Sequence, residues 1–471
     1  MQIFRRKIYN QLLDWKQNRS DSALLVEGAR RIGKSFIVET FAKNEYKSHL
    51  LIDFNNASSV VKGWFDEYLG DIDTLLLNLQ IEYGVKLTPH ESCIVFDEVQ
   101  MCPRARAAIK YLVADGRFHY IETGSLVSIK KNVKDITIPS EEMAIEMNPM
   151  DFEEFLWAMG EDLLVDRIKE CCEKKKPMEG LHRKAMNLFR DYMIVGGMPQ
   201  ALLKYVETKD YDKADAAKRA ILSVYRNDIA KYATGSELKA QSIFDEIPAM
   251  LQRGEKKFSP SAIKPGTSYR DYDNAFFWLS DSRIVNICYG CTAPNIGLRL
   301  NMERTTLKCY MADTGLLISH AFDENGRTPV DLYKALLRGS LEVNEGMLME
   351  NIVAQMLKAR GNKLYFYSKS SREDPSERME IDFLITKSSI TSRHNIIPIE
   401  VKSTKKYTLT SLNKCVAKFG EYITTPTGLH TADLKVKEGI TYLPLYLAPW
   451  MYPTDMCTVL GINGLYLENA V

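Results

Sequence analysis

At 471 residues the chain is long enough for about three domains of ~150 residues each, and its 45% hydrophobic and 26% charged content exclude a mainly disordered protein. Lys plus Arg number 62 against 61 Asp plus Glu, a net charge of +1, so whole-chain charge argues neither for nor against a nucleic-acid partner. No apolar run approaches the ~18 residues of a membrane span, and Arg5, Arg6 and Lys7 lead into an amphipathic stretch (Ile8, Leu12, Leu13, Trp15) instead of a signal-peptide core, so a cytoplasmic protein with no membrane partner is expected.

The first ~150 residues alternate short apolar runs with helical stretches. Strands are predicted at Ala23–Glu27, His49–Phe54, Ser92–Phe96 and His119–Glu122, with a helix over Ser35–Lys43. That alternation implies a parallel sheet covered on both faces. From about residue 150 the pattern turns helical: Asp151–Met159, Arg183–Val195 and Tyr211–Lys231, punctuated by Gly196-Gly197-Met198-Pro199. Between about 236 and 320 a helix (Asp271–Leu279) precedes two strands (Arg283–Tyr289, Thr306–Tyr310) and a long loop, the order of a winged helix. A further α/β unit follows, with a helix over Met347–Arg360 and strands at Ile381–Ile385 and Pro398–Lys402. The nine cysteines are scattered, and Cys288-Tyr-Gly-Cys291 lacks the second pair a zinc site needs, so reduced thiols are expected.

Gly28-Ala29-Arg30-Arg31-Ile32-Gly33-Lys34-Ser35 fits GxxxxGK[ST] between a strand and a helix. Glycines let backbone N–H groups turn around phosphate oxygens, Lys34 can reach the β- and γ-phosphates, and the Ser35 hydroxyl can ligate Mg²⁺. The helix from Ser35 and Phe36 points its N-terminus at the anion. Cys93-Ile-Val-Phe-Asp97-Glu98 is an apolar strand ending in two acids: Asp97 is assigned to Mg²⁺, and Glu98 to the attacking water. Thr123-Gly124-Ser125 follows the next strand, where Thr123 can hydrogen-bond the water or the γ-phosphate. No guanine-selecting motif is present at the expected place, so ATP with Mg²⁺ is the expected ligand.

With Phe96-Asp-Glu-Val-Gln100, Pro149-Met-Asp-Phe-Glu-Glu-Phe155, Gly196-Gly-Met-Pro199, Tyr310-Met-Ala-Asp-Thr-Gly-Leu-Leu317 and Ile399-Glu-Val-Lys-Ser403, the chain resembles prokaryotic AAA-type ATPases of the STAND/MNS kind that end in a restriction-endonuclease-like domain of unknown function. The resemblance implies an α/β fold in four parts. These are a P-loop ATPase core with a parallel sheet (1–155), a helical lid (156–235), a winged-helix-like module (236–320) and a restriction-endonuclease-like α/β domain (321–471). It also places Gly197 and Pro199 of the lid near the nucleotide. Relatives carry Gly-Arg shortly before the Pro149–Phe155 motif, where this chain has Ile138-Pro-Ser-Glu-Glu-Met143. Arg104, Arg106 and Arg117 are then candidate arginine fingers on composition alone, each more readily read as a solvated surface residue.

In the tail, Glu400 and Lys402 alternate with Ile399 and Val401 and so share one strand face. Helix-borne Glu350, then Asp382, then Glu400-x-Lys402 is the order of restriction-like nucleases. Asp382 and Glu400 would hold one or two Mg²⁺ ions, Lys402 would position the attacking water and Glu350 would add an outer ligand. The rival account is a structural Glu400–Lys402 salt bridge. Two functions follow: an ATP-hydrolysing protein acting on nucleic acid, DNA sooner than RNA, with a cutting tail; or a nucleotide-controlled switch whose tail only binds DNA or a protein partner. A homo-oligomer is compatible with either.

Overall fold

A computed structural model describes residues 4–451 apart from 19–20, 126–139, 254–256, 296, 324–325, 341–344, 371–376, 388–392 and 405. It divides into two compact units. One holds Arg5–Asn148 with Asp281–Arg283; the other holds Pro149–Ser280 and the chain from Ile284 onward.

The first unit runs α1 (Ile8–Asn18), β1 (Ala23–Glu27), α2 (Lys34–Glu45), β2 (Ser48–Asp53), α3 (Ser59–Glu67), α4 (Ile72–Tyr83), β3 (Ser92–Asp97), α5 (Pro103–Asp115), β4 (His119–Gly124) and β5 (Glu142–Glu146). Its five strands are all parallel, in the order β2-β3-β4-β1-β5. β1 and β3 are buried at every position, which is why they read as unbroken apolar runs. Under α3, α4 and α5, Phe54, Phe65 and Phe96 meet edge-on at 5.4–5.5 Å between ring centres within the main core. Ser58 caps α3 by accepting the Val61 N–H, and Asp71 caps α4 by accepting from Thr74. The edge strand β5 was not foreseen: Glu142-Met-Ala-Ile-Glu146 has neither an apolar run nor a clean alternation, and among the described residues only β1 pairs with it. Arg283 lies 3.6 Å from Glu27 and 3.3 Å from Glu146, at the ends of those two strands.

The second unit opens with helices α6 (Phe152–Ala158), α7 (Asp162–Lys174), α8 (His182–Val195), α9 (Pro199–Thr208), α10 (Tyr211–Tyr232), α11 (Glu237–Gln252), α12 (Pro260–Ile263) and α13 (Asp273–Asp281). Then come β6 (Val285–Cys291), β7 (Met302–Met311), α14 (Thr314–Ala321), α15 (Val330–Arg338), α16 (Glu345–Ala359), β8 (Tyr365–Lys369), β9 (Met379–Thr386), β10 (Ile396–Val401), α17 (Thr410–Phe419), β11 (Thr427–His430), β12 (Lys435–Lys437) and β13 (Ile440–Pro444). The eight strands form one sheet, β12-β13-β11-β10-β9-β8-β6-β7.

That order corrects the winged-helix expectation. The helix–strand–strand segment exists as α13, β6 and β7. However, β6 pairs in parallel with β8 from Tyr289↔Tyr365 to Cys291↔Tyr367, so the hairpin is the end of the tail's sheet and not a free-standing wing. Among the basic residues of the stretch before this hairpin, Arg253 pairs with Glu246. Lys256 lies outside the described residues. The eight described cysteines are free thiols, and Cys291 donates to the Leu298 carbonyl.

Three of the quoted motifs meet in the interior of this unit. The Met150 N–H donates to the Gly197 carbonyl at 2.8 Å, and the Gly197 N–H donates to Asp313 at 2.5 Å. Asp313 is fully buried and also caps α14 through the Leu316 N–H. Gln355 donates to Tyr192 and Asp313, and the Tyr192 hydroxyl donates to the Met150 carbonyl. Burial pushes the Asp313 carboxyl up, and the Gly197 and Leu316 N–H donors hold it back. A Cβ on Gly197 would lie 2.0 Å from the Met150 carbonyl oxygen and within 3 Å of two more Met150 backbone atoms, which must move as a whole. Gly197→Ala is therefore expected to cost about 3 kcal/mol of unfolding free energy, read as a lower urea midpoint. An unchanged midpoint would contradict this close approach.

Candidate functional site

β1 ends at Glu27 and the loop Gly28–Gly33 returns the chain into α2. Gly33 sits at φ 92°, ψ 25°, left-handed backbone that glycine adopts without strain. No side chain caps α2, so its first N–H groups are left to face an anion. Lys34 is buried, and its Nζ donates to the Gly28 and Ala29 carbonyls at 3.0 Å each, folded back across the loop. Burial lowers its pKa, while Glu98 and Asp97 pull it back up.

Ser35 Oγ donates to Asp97 Oδ1 at 2.7 Å, and Thr123 Oγ1 donates to the same oxygen. Burial raises the Asp97 pKa, and those two hydroxyls lower it again. Thr123 also accepts the Glu98 N–H at 3.3 Å. Glu98 stands at φ 52°, ψ 49°, an uncommon conformation for a residue with a side chain, of the kind that clusters at functional sites. Its carboxylate accepts from the Gln100 side-chain amide. Thus Lys34, Ser35, Asp97, Glu98 and Thr123, predicted from three separate stretches, gather at the C-terminal ends of β1, β3 and β4. Open α/β sheets bind ligands at that end.

The remaining loop residues frame this group. Arg30 is half-buried, Arg31 is exposed at φ 68°, Phe36 is half-buried on α2, and Ile32 is buried with its carbonyl bound by Arg6 at 3.1 Å. Arg6 also donates to the Asn148 carbonyl at 2.7 Å. Arg6 and Gln100 are contributors that the sequence reading did not assign. Gln100 was legible as the end of Asp-Glu-Val-Gln, whereas Arg6 had only its place before an amphipathic helix. Gly197 and Pro199 belong to the other unit, where Pro199 opens α9.

The donor set fits a magnesium nucleotide. Mg²⁺ typically takes one or two protein oxygens, with phosphates and waters completing its shell, and the Ser35 hydroxyl beside the Asp97 carboxylate offers such a pair. Among the described residues no three His, Cys, Asp or Glu groups are gathered to hold a metal ion. For a site completed by phosphates that is no obstacle. The candidate fingers are engaged within the chain: Arg104 with Asp66, Arg106 with Glu142 through two nitrogens, and Arg117 with Asp115 and Asp73.

In the tail, β9 and β10 are antiparallel neighbours, as Asp382 and Glu400 require. Asp382 accepts the Val401 N–H at 2.8 Å, and Lys402 lies 3.5 Å from Glu400, so the latter two do share a face. The cluster also holds two residues not foreseen. Lys308 of β7 is buried, with Nζ 3.2 Å from Glu380, 3.5 Å from Glu350 and 3.9 Å from Asp382. The Tyr310 hydroxyl donates to Glu350 at 3.0 Å. Burial and the Glu350 charge push Asp382 up to about 7, against the pull of Lys308. Burial also raises Glu400, and Lys402 opposes it.

Residues 20–156 match the family model of the AAA domain (AAA_14). Residues 186–326 and 345–447 match two domains of unknown function, DUF8612 and DUF4143. No curated protein matches the chain. Among solved structures, the Walker-type ATPase PabY2304 of Pyrococcus abyssi is 15% identical, covers 68% of this chain and 96% of its own, and superposes with a TM-score of 0.40. PCH-2 of C. elegans is 12% identical, with 59% of this chain and 64% of its own covered at a TM-score of 0.19. Among the described residues no helix is long and apolar enough to cross a membrane. The parallel five-stranded sheet, its glycine loop and the AAA match agree: the N-terminal part of the chain is a P-loop unit of AAA type.

Proposed function

We propose that the chain is an ATP-hydrolysing AAA-type protein whose nucleotide cycle controls a nuclease-like C-terminal domain acting on nucleic acid, DNA in preference to RNA. The observation that carries the ATPase reading is the convergence of Lys34, Ser35, Asp97, Glu98 and Thr123 at one end of the parallel sheet. Gly28 to Phe36 wrap the phosphates, and Lys34 supplies the cation. Ser35 and Asp97 would hold Mg²⁺, which when bound neutralises charge developing on the phosphates. Glu98 takes a proton from the attacking water, and Thr123 fixes both acids.

For the tail, two roles stand beside each other. Cleavage would use Asp382 and Glu400 on Mg²⁺, Lys402 on the water and Glu350 behind them; the pairing of β9 with β10, which sets the strands of Asp382 and Glu400 side by side, favours it. Binding without cleavage is favoured by the ammonium of Lys308 among the carboxylates, and we adopt it. The test is duplex DNA binding by the full chain with and without ATP. Affinity is expected to fall steeply between about 50 and 200 mM salt if phosphate contacts dominate, and to change with the nucleotide. No detectable binding at low salt would remove the nucleic-acid reading.

A further inference from the structure

We propose that the Lys308 ammonium is the resident cation of the C-terminal carboxylate centre, and that this centre therefore takes no divalent metal ion. The inference deepens the reading of the tail as a binding domain and rests on it. Lys308 is 6% exposed and reaches three carboxylates from two elements, Glu350 of α16 and Glu380 and Asp382 of β9. Its ammonium also lies 5.4 Å from the centre of the Phe366 ring on β8, the strand beyond β6 in the sheet. Tyr310, two residues along β7, fixes Glu350 through its hydroxyl. The cation is thus built into the sheet from the hairpin and is not a surface lysine resting on the site.

A metal ion would have to share this space. Mg²⁺ needs oxygens at about 2.0–2.1 Å, and an ammonium within 4 Å of all three carboxylates repels a second cation at this partly buried site. Of the donor set that the nuclease-like order implies, Glu350 and Asp382 lie within 4 Å of the ammonium, and Glu400 is paired with Lys402. The rival is that Lys308 only braces the sheet while Asp382 and Glu400 bind metal beside Lys402.

The experiment titrates Mn²⁺ into the nucleotide-free full chain, by calorimetry and by the electron paramagnetic resonance signal of free Mn²⁺. The native protein should show no Mn²⁺ site that Asp382→Asn removes. Lys308→Met, similar in length without the charge, should gain one site, lost again when Asp382→Asn is added. A native site that vanishes in Asp382→Asn overturns the proposal, and so does a folded Lys308→Met protein that gains none. Should Lys308→Met fail to fold, the native and Asp382→Asn titrations decide alone. No DNA enters the assay, so failure of the nucleic-acid reading would leave its outcome unchanged.

Discussion

Lys34→Ala should abolish measurable ATP binding, a loss of at least ~100-fold, while the protein stays folded. The lysine is the cation of the phosphate loop, and its two hydrogen bonds to the Gly28 and Ala29 carbonyls hold it across the loop before any ligand arrives. A charge-assisted hydrogen bond contributes about 1.5–3 kcal/mol, and each 1.4 kcal/mol is tenfold in affinity, so two such bonds to phosphate oxygens reach that figure. Removing a methylene stem from α2 leaves the sheet intact, and both freed carbonyls can take water. Equilibrium binding of a fluorescent ATP analogue, with circular dichroism as the folding control, checks this. Native affinity in a folded Lys34→Ala protein would show that the loop does not cradle phosphate.

Glu98→Gln should instead retain ATP and lose turnover by about 10²-fold or more, the range removed with a positioned general base. Glu98 is held at both ends: its N–H binds Thr123 and its carboxylate accepts from Gln100. Glutamine keeps the shape and the acceptor oxygen but cannot take the proton. Steady-state hydrolysis read beside ATP affinity separates the two roles. Equal turnover in both proteins would move the base elsewhere, and a parallel loss of affinity would make Glu98 a binding residue.

What could be foreseen followed how local the information is. The glycine loop is contiguous, and its flanking strand falls at Ala23–Glu27 as predicted because every residue there is buried. The acids after β3 sit at the end of an equally apolar strand, so their place at the sheet's edge was legible too. β5 was not, since an edge strand with glutamates at both ends carries little apolar signal. In the tail, Glu350, Asp382, Glu400 and Lys402 were found from spacing. Lys308 was not, because its strand lies 42 residues before Glu350 and only the parallel pairing of β6 with β8 brings the hairpin to the cluster. That same pairing is why a helix followed by two strands looked like a separate winged module: within its own stretch nothing distinguishes the two.

The shared sheet has a consequence for how the protein is made. Hairpin β6–β7 leaves the ribosome well before β8, the strand that closes its inner edge. At ~5–20 residues per second, the roughly 75 residues from Cys291 to Tyr365 take about 4–15 s to synthesise. For that interval β6 offers open N–H and C=O groups, a template for pairing with a neighbouring nascent chain. Lys308 meanwhile waits for carboxylates that do not yet exist. Its three partners come from α16 and β9, so the centre assembles only once those elements have been made.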